Sequence, residues 1–329
     1  MKVTLRDVAH EAGVAMGTAS KVLNGRPDVG TGTRNRVLEA ARHLGYRPRS
    51  GSWPDEDSPT RSILAVLDGV TTMYSATVLD GIIDGARSMG LEVLIRSGVE
   101  GVAGDLPHDC VGVVVVTVAA TFVDDSAMAR LRVPVVGIDP HQPTSREMMT
   151  VSATNWLGGR MATEHLIELG HQRIGWLGGF DNTAASRDRR DGYRAAILHA
   201  GLPLATELEL SGSFSYESGL KNILELLALR EPPTAVVAAN DEIALGAMEG
   251  IRSLSKSVPG DISVVGFDDT PQAQWSTPQL TTVRQPLLDM GRIAVSMVLS
   301  AAGGGIVESK HVQVHTSLVT RSSTARPRH

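Results

Sequence analysis

Residues 4–24 read TLRDVAHEAGVAMGTASKVLN, and their spacing predicts a helix-turn-helix. Thr4 is a good N-cap. Leu5, Val8, Ala9 and Ala12 recur at i, i+3, i+4 and i+7, the apolar face of a short helix. Gly13 stands where that helix must stop and reverse, a position that calls for a positive φ. Val14 can plug the corner, and residues 15–23 resume a helical pattern with Ala19, Val22 and Leu23 inward. Met16, Gly17, Thr18, Ser20 and Lys21 are left on the outer side. A second helix that presents its N-terminal outer face is the geometry that enters a DNA major groove. A small helical hairpin without a DNA role carries the same local pattern.

Working outward, Val37, Leu38, Ala41 and Leu44 mark the buried face of a third helix, with Gly45 as its C-cap and Arg34, Arg36 and Arg42 outside, toward phosphates. Residues 1–50 carry a net charge of +5, and the rest of the chain carries −10. A basic head on an acidic body is the footprint expected when only the head touches phosphate. The single cysteine, Cys110, excludes an intrachain disulfide or a Cys-rich zinc site, and it reads as a buried core thiol ahead of the valine run at 111–116. With no apolar leader, and no apolar run near the roughly 18 residues of a membrane span, the expectation is a cytoplasmic protein without a membrane partner.

Residues 49–60, RSGSWPDEDSPT, have linker composition. From residue 61 the pattern alternates between β-runs and helices. Apolar runs at 63–67, 91–95, 111–116 and 133–138 are followed by 173–177, 235–238 and 262–265. Helical stretches lie at 76–89, 163–169, 189–200, 217–229, 243–253 and 287–300, and a final strand-like stretch at 312–318. Near-continuous Val/Ile/Leu runs point to strands buried on both faces of parallel sheets. The expected fold is therefore α/β: a three-helix head plus two doubly wound parallel-sheet subdomains.

Nearly every β-run ends in a small or polar residue: Asp68, Ser97, Thr117, Asp139, Gly178, Asn240-Asp241 and Asp268-Asp269. In open parallel sheets, ligands bind outside the carboxyl ends of the strands. Two such sheets facing across a cleft would present carboxylates and amides, which suit a neutral polyhydroxylated ligand better than an anion. Strand-end Asp and Asn also serve as helix caps. Phosphate-loop, dinucleotide, nucleophile-elbow and zincin motifs are absent from the sequence. Asp124, Asp125 and Asp188 have no identifiable catalytic partner. His165 and His171 read as a helix-surface and a capping-region histidine. No enzyme activity, cofactor or metal is expected.

Several segments carry a resemblance to a known family: 4–14, 18–25 (TASKVLNG) and 36–48 (RVLEAARHLGYRP) in the head, and 158–174 (GGRMATEHLIELGHQRI), 240–248 (NDEIALGAM), 261–270 (DISVVGFDDT) and 278–286 (PQLTTVRQP) in the body. Over almost its whole length the chain resembles a LacI-family (lactose-repressor-type) transcriptional regulator. The resemblance implies a helix-turn-helix head at 1–49, a linker at 50–60 and a periplasmic-binding-protein-like core at 61–329. That core divides into an N-subdomain (about 61–155 and 284–315) and a C-subdomain (about 156–283 and 316–329). Crossings are placed near 152–158, 282–285 and 315–319. It further implies a repressor that acts as a homodimer on a palindromic double-stranded DNA operator, with a small effector, most often a sugar or nucleobase, in the interdomain cleft. Carried over by motif, Met16, Gly17 and Lys21 face base edges, and Thr4, Thr18, Ser20, Asn24 and Tyr46 hold phosphates beside Arg34. Asp139, Arg187, Asn240 and Asp268 contact effector, Phe214 stacks on a sugar face, and Tyr74 and Thr117 complete the set. Alternatively Arg187 is a surface arginine and Phe214 a core side chain.

Four departures from the family pattern stand out. Ala15 replaces a capping serine, at a cost of about 1 kcal/mol. Gly17 removes a base-reading side chain, so readout leans on Met16, suited to a thymine methyl, and on Lys21. The linker lacks the Ala-Arg-x-Leu of a minor-groove hinge helix, leaving Trp53 as the substitute wedge. Residues 98–109 are too short and Gly-rich for the helix expected between the second and third strands. A sugar-binding module with a degenerate head is the alternative function.

Overall fold

The computed structural model describes residues 4–23, 29–44, 46, 61–67, 69, 72–98, 105–116, 131–140, 148–305 and 309–328. Asn24, residues 50–60 with Trp53, and Thr117 lie outside them. The chain divides into two compact units, 1–60 and 61–329.

In the first unit, Gly13 has φ 63°, which no side chain tolerates cheaply. It ends α1 (Leu5–Glu11) and turns the chain into α2 (Met16–Leu23). Asp7 anchors the start of α1 by accepting from the Thr4 backbone N–H and hydroxyl, both at 2.7 Å. At the start of α2, Ala15 offers only its carbonyl, which accepts from Thr18 N–H at 2.9 Å and Ala19 N–H at 3.0 Å. With α3 (Thr31–His43) these helices bury Val8, Ala9, Ala12, Ala19, Val22, Leu23, Val37, Ala40 and Ala41. Leu5, Leu38, Leu44 and Tyr46 are only half-buried around that core.

The second unit holds two six-stranded sheets. In the first lie β1 (Ser62–Leu67), β2 (Glu92–Ser97), β3 (Cys110–Val116), β4 (Val135–Ile138) and β5 (Met149–Ala153), with α4 (Met73–Ser88) after β1. The chain then passes into α5 (Asn155–Glu168), β6 (Ile174–Leu177), α6 (Ala184–His199), β7 (Glu209–Leu210), α7 (Tyr216–Leu227) and β8 (Ala235–Ala238). Next come α8 (Asp241–Ser253), β9 (Ser263–Asp268), α9 (Pro271–Trp275) and β10 (Thr281–Arg284). It returns through α10 (Leu287–Ala302) to β11 (His311–Val314) in the first sheet and ends with β12 (Ser317–Val319) in the second. The orders are β11-β5-β4-β3-β1-β2 and β12-β10-β9-β8-β6-β7, the same winding repeated. Every pairing is parallel except β10 with β12.

Several expectations need correction. The stretch 312–318 is two strands, one in each sheet, because Thr316 is drawn to Thr154: its N–H donates to Thr154 Oγ1 at 3.0 Å. The strand at 91–95 is not buried on both faces. β2 is an edge strand with Leu94 and Ile95 exposed, and none of residues 105–109 after it is helical. β5 (MTVSA) escaped detection because its outward positions are hydroxyls. Helix α5 begins eight residues before 163, since Gly158 and Gly159 hide the helical period.

Those glycines are sites of close approach. A Cβ on Gly159 would collide with the Arg189 carbonyl, and one on Gly192 with the Trp156 carbonyl. The α5–α6 contact therefore rests on two hydrogen side chains, and it sets the depth at which Arg189 enters the molecule. Gly159→Ala is expected to lower the unfolding free energy by about 1–3 kcal/mol, the usual cost of overpacking, as read from urea denaturation.

Candidate effector site and DNA-reading surface

The strand ends that point toward each other are strained. Asp139, after β4, has φ 44°, and at the end of β9 Asp268 has φ 120° and Asp269 φ 58°. Positive φ at a non-glycine residue costs roughly 1–3 kcal/mol and persists where the surroundings over-determine it. Here hydrogen bonds supply that determination. Asp139 accepts from the Tyr74 hydroxyl at 2.6 Å and from Asn155 Nδ2 at 3.4 Å. Asp268 accepts from Gln285 Nε2 at 2.6 Å. Asp269 faces the other way, accepting from Arg284 Nε at 2.6 Å and Arg321 Nη2 at 2.5 Å.

Arg189 joins the two halves. Its Nε donates to Asn155 Oδ1 at 2.8 Å and its Nη1 to the Ala239 carbonyl at 2.6 Å. Nη1 also lies 3.7 Å from Asp268 Oδ1, and the guanidinium covers the Phe267 ring at 3.8 Å. The side chain is 4% exposed, so its charge persists only because these partners replace water. A continuous path Tyr74–Asp139–Asn155–Arg189–Asp268–Gln285 runs from one sheet to the other. Burial pushes the carboxyls of Asp139 and Asp268 upward, against the pull of Arg189, and burial beside Asp139 pushes the Tyr74 phenol up.

Tyr74, Asp139, Arg189 and Asp268 of this path line a cavity, together with Thr72, Thr183, Ala185, Phe214 and Asn240. Phe214 lies against Gly179, where any Cβ would strike its ring, and meets Phe180 edge-on at 6.2 Å. Asn240 does both things its position suggested. It lines the cavity and caps α8, accepting from Ile243 N–H at 2.9 Å. Asp241 is a strut: fully buried, it accepts from Thr270 N–H at 2.8 Å, Thr270 Oγ1 at 2.9 Å and Thr282 Oγ1 at 2.5 Å. Burial raises it to about 7. Two carboxylates and one already-engaged arginine favour a neutral, hydroxyl-rich ligand over an anion.

On the head, Met16 is 56% exposed and Gly17 and Lys21 are exposed, while Thr18, Ser20, Arg34 and Tyr46 are partly covered. The Thr4 hydroxyl is held by Asp7.

Comparison with known proteins agrees with this division. Residues 4–49 match the model of bacterial regulatory proteins of the lacI family, and residues 163–324 a periplasmic binding protein-like domain. The regulator CelR of Thermobifida fusca is 32% identical over 97% of this chain and 98% of its own length. The chain belongs to the lacI family of bacterial regulatory proteins. Among solved structures, a CelR–cellobiose complex superposes with TM-score 0.73 at 29% identity, covering 98% of this chain and 100% of that one. The lac repressor dimer bound to operator and an anti-inducer gives 0.71 at 29%, covering 99% and 100%.

Within this family member, the structure brings Tyr74, Asp139, Phe214, Asn240 and Asp268 to one cavity. Arg187 is a correction. It donates to the Asn182 carbonyl at 3.1 Å, away from the cavity, and the arginine in the cluster is Arg189. Helix α6 starts at Ala184 rather than 189, capped by Thr183. Residues two apart on a helix face opposite sides, so the helix start decides which arginine turns inward. Asn155, Gln285, Thr72 and Thr183 were also missed; the first two lie inside segments read only as crossings. His171 lies in the capping turn after α5, its N–H donating to the Leu166 carbonyl at 3.1 Å, and its ring is buried, with Nδ1 2.8 Å from Thr234 Oγ1 and Nε2 donating to the Ala325 carbonyl at 2.9 Å.

A carboxyl whose folded pKa lies above its ordinary value of 3.8 withdraws stability as pH rises from that value through the raised one. The Tyr74 hydroxyl offsets part of this by favouring the charged form of Asp139. Tyr74→Phe is therefore expected to cost about 1.5–3 kcal/mol at pH 8, as for a hydrogen bond to a charged group, and clearly less at pH 4, by urea denaturation at both pH values.

Proposed function

We propose that this chain is a cytoplasmic, homodimeric repressor that binds a palindromic operator through the face of α2 and releases or tightens on it when a small neutral sugar enters the cavity around Arg189. The observation that carries the reading is the path of hydrogen bonds and one ion pair, Arg189–Asp268, from Tyr74 to Gln285, which draws cavity-facing groups from both sheets. A ligand that touches both sheets biases their relative angle about the three connections after Ala153, Arg284 and Val314. In a dimer that angle alters the fit of two heads to two half-sites, a coupling of about 1–3 kcal/mol being typical. A relative solved with cellobiose supports a sugar as the effector. The complete apolar core of the head favours DNA binding over a degenerate remnant.

Base readout falls on Met16 and Lys21, with Thr18, Ser20, Tyr46 and Arg34 toward the backbone. Selection from a random duplex pool is expected to return a two-fold symmetric site. On that site Lys21→Ala is expected to lose about 1–3 kcal/mol of base discrimination and much less affinity for random DNA; equal losses on both would remove Lys21 from the readout.

In the cleft, Arg189→Ala is expected to abolish the thermal shift given by the best of a sugar panel, while Arg187→Ala keeps it. Retention of the shift by Arg189→Ala would overturn the site assignment.

A further inference from the structure

The cavity around Arg189 is closed unevenly. On one side the 2.6 Å bond between Asp268 and Gln285, both buried, forms a wall. The groove beyond it carries Trp275, Leu288, Arg284 and Arg292, an apolar and ionic lining. Elsewhere Asp139, which lines the cavity, meets Asn155 at the longer distance of 3.4 Å. There the cavity adjoins a solvent-open trough, to which Asp139 and Ala185 also belong.

The floor of this trough is a platform of polar side chains. Strands β5 and β11 run parallel with Thr150 beside His311 and Ser152 beside Gln313. Positions two apart on a strand share a face, so these four side chains make two adjacent polar rungs. Thr150 Oγ1 lies 3.0 Å from His311 Nδ1, which orders the first rung. The same strands bury Met149, Val151 and Ala153 on their other face. The far wall is the first turns of α6, with the flat methyls of Ala184 and Ala185 and the Asp188 carboxylate. Hydroxyl, amide, imidazole and carboxylate groups around small apolar faces suit a second hydroxylated ring. A solvated sheet edge would present the same rungs, but it would not be faced by the helix that carries Arg189, nor would it run on from the effector cavity.

We infer that the trough is a second sugar subsite, so that the effector is of disaccharide size: one ring lies beside Tyr74, Arg189 and Phe214, and the other on the platform of Thr150, Ser152, His311 and Gln313. This rests on the reading of the effector as a sugar. The occupied trough links the edge of the first sheet to α6, which packs on α5 and is bonded to the second sheet through Tyr193 and Arg194, so the second ring adds to the force that draws the sheets together.

The test is titration calorimetry of the full chain with cellobiose, lactose, maltose and xylobiose, each against its constituent D-glucose, D-galactose or D-xylose. At least one disaccharide is expected to bind ten times more tightly than its monosaccharides. The double variant His311→Ala/Gln313→Ala, both at exposed positions, is expected to cut that preference at least fivefold with the monosaccharide Kd unchanged, and Gln274→Ala in the opposite groove to leave it intact. Monosaccharide binding without disaccharide preference, a preference that survives the double variant, or one lost in Gln274→Ala would each overturn the second subsite and leave the sugar reading standing. Absence of binding by every sugar of both sizes would overturn both.

Discussion

The body of this protein depends on how one buried charge is kept. A guanidinium removed from water loses several kcal/mol of hydration even after the protein relaxes around it, and Arg189 recovers this through a fixed set of partners: the Asn155 amide, the Ala239 carbonyl, the Phe267 ring and the Asp268 carboxylate. Those partners come from a connection between the sheets, from the end of β8 and from β9. Arg189 can occupy that point only because α5 and α6 approach through Gly159 and Gly192. Helix packing, electrostatics and ligand geometry are thus one problem solved at one residue.

The carboxylates at the strand ends divide their labour by orientation. Asp139 and Asp268 turn into the cavity, while Asp241 and Asp269 turn away and act as struts. Asp241 ties Thr270 to Thr282, and Asp269 ties Arg284 to Arg321. Both struts flank the positive-φ turn at Asp268, which explains how a strained residue is held in place at the cavity. Two of the three connections between the sheets are bound together as well: Thr154 and Thr316 hydroxyls lie 2.9 Å apart, and Thr154 N–H donates to the Val314 carbonyl at 2.9 Å.

Legibility differed with the range of the interaction concerned. Gly13, the α1 and α2 faces and the Val/Ile/Leu strands announce themselves because their determinants lie within a few residues. β5 and β2 did not. β5 hides because Thr150 and Ser152 on its outward face line the trough, and the exposure of β2 follows from its place at the edge of the sheet, a property of neighbours rather than of its own residues. The Arg187–Arg189 pair makes the same point in the site: the motif names an arginine-rich turn, and only the start of α6 decides which side chain faces inward.

The sequence by itself determined the family, the three-helix head, the doubly wound halves and the strand-end acids, since local periodicity and short motifs carry each of these. Only the tertiary structure decided which acids face the cavity and which are struts, and that Arg189 is the cation that lines it. It also placed Asn155 and Gln285 as the links on either side. The physical reason is burial: a charged side chain takes its role from the partners that replace its water, and those partners come from residues 15 to 79 positions away in the chain.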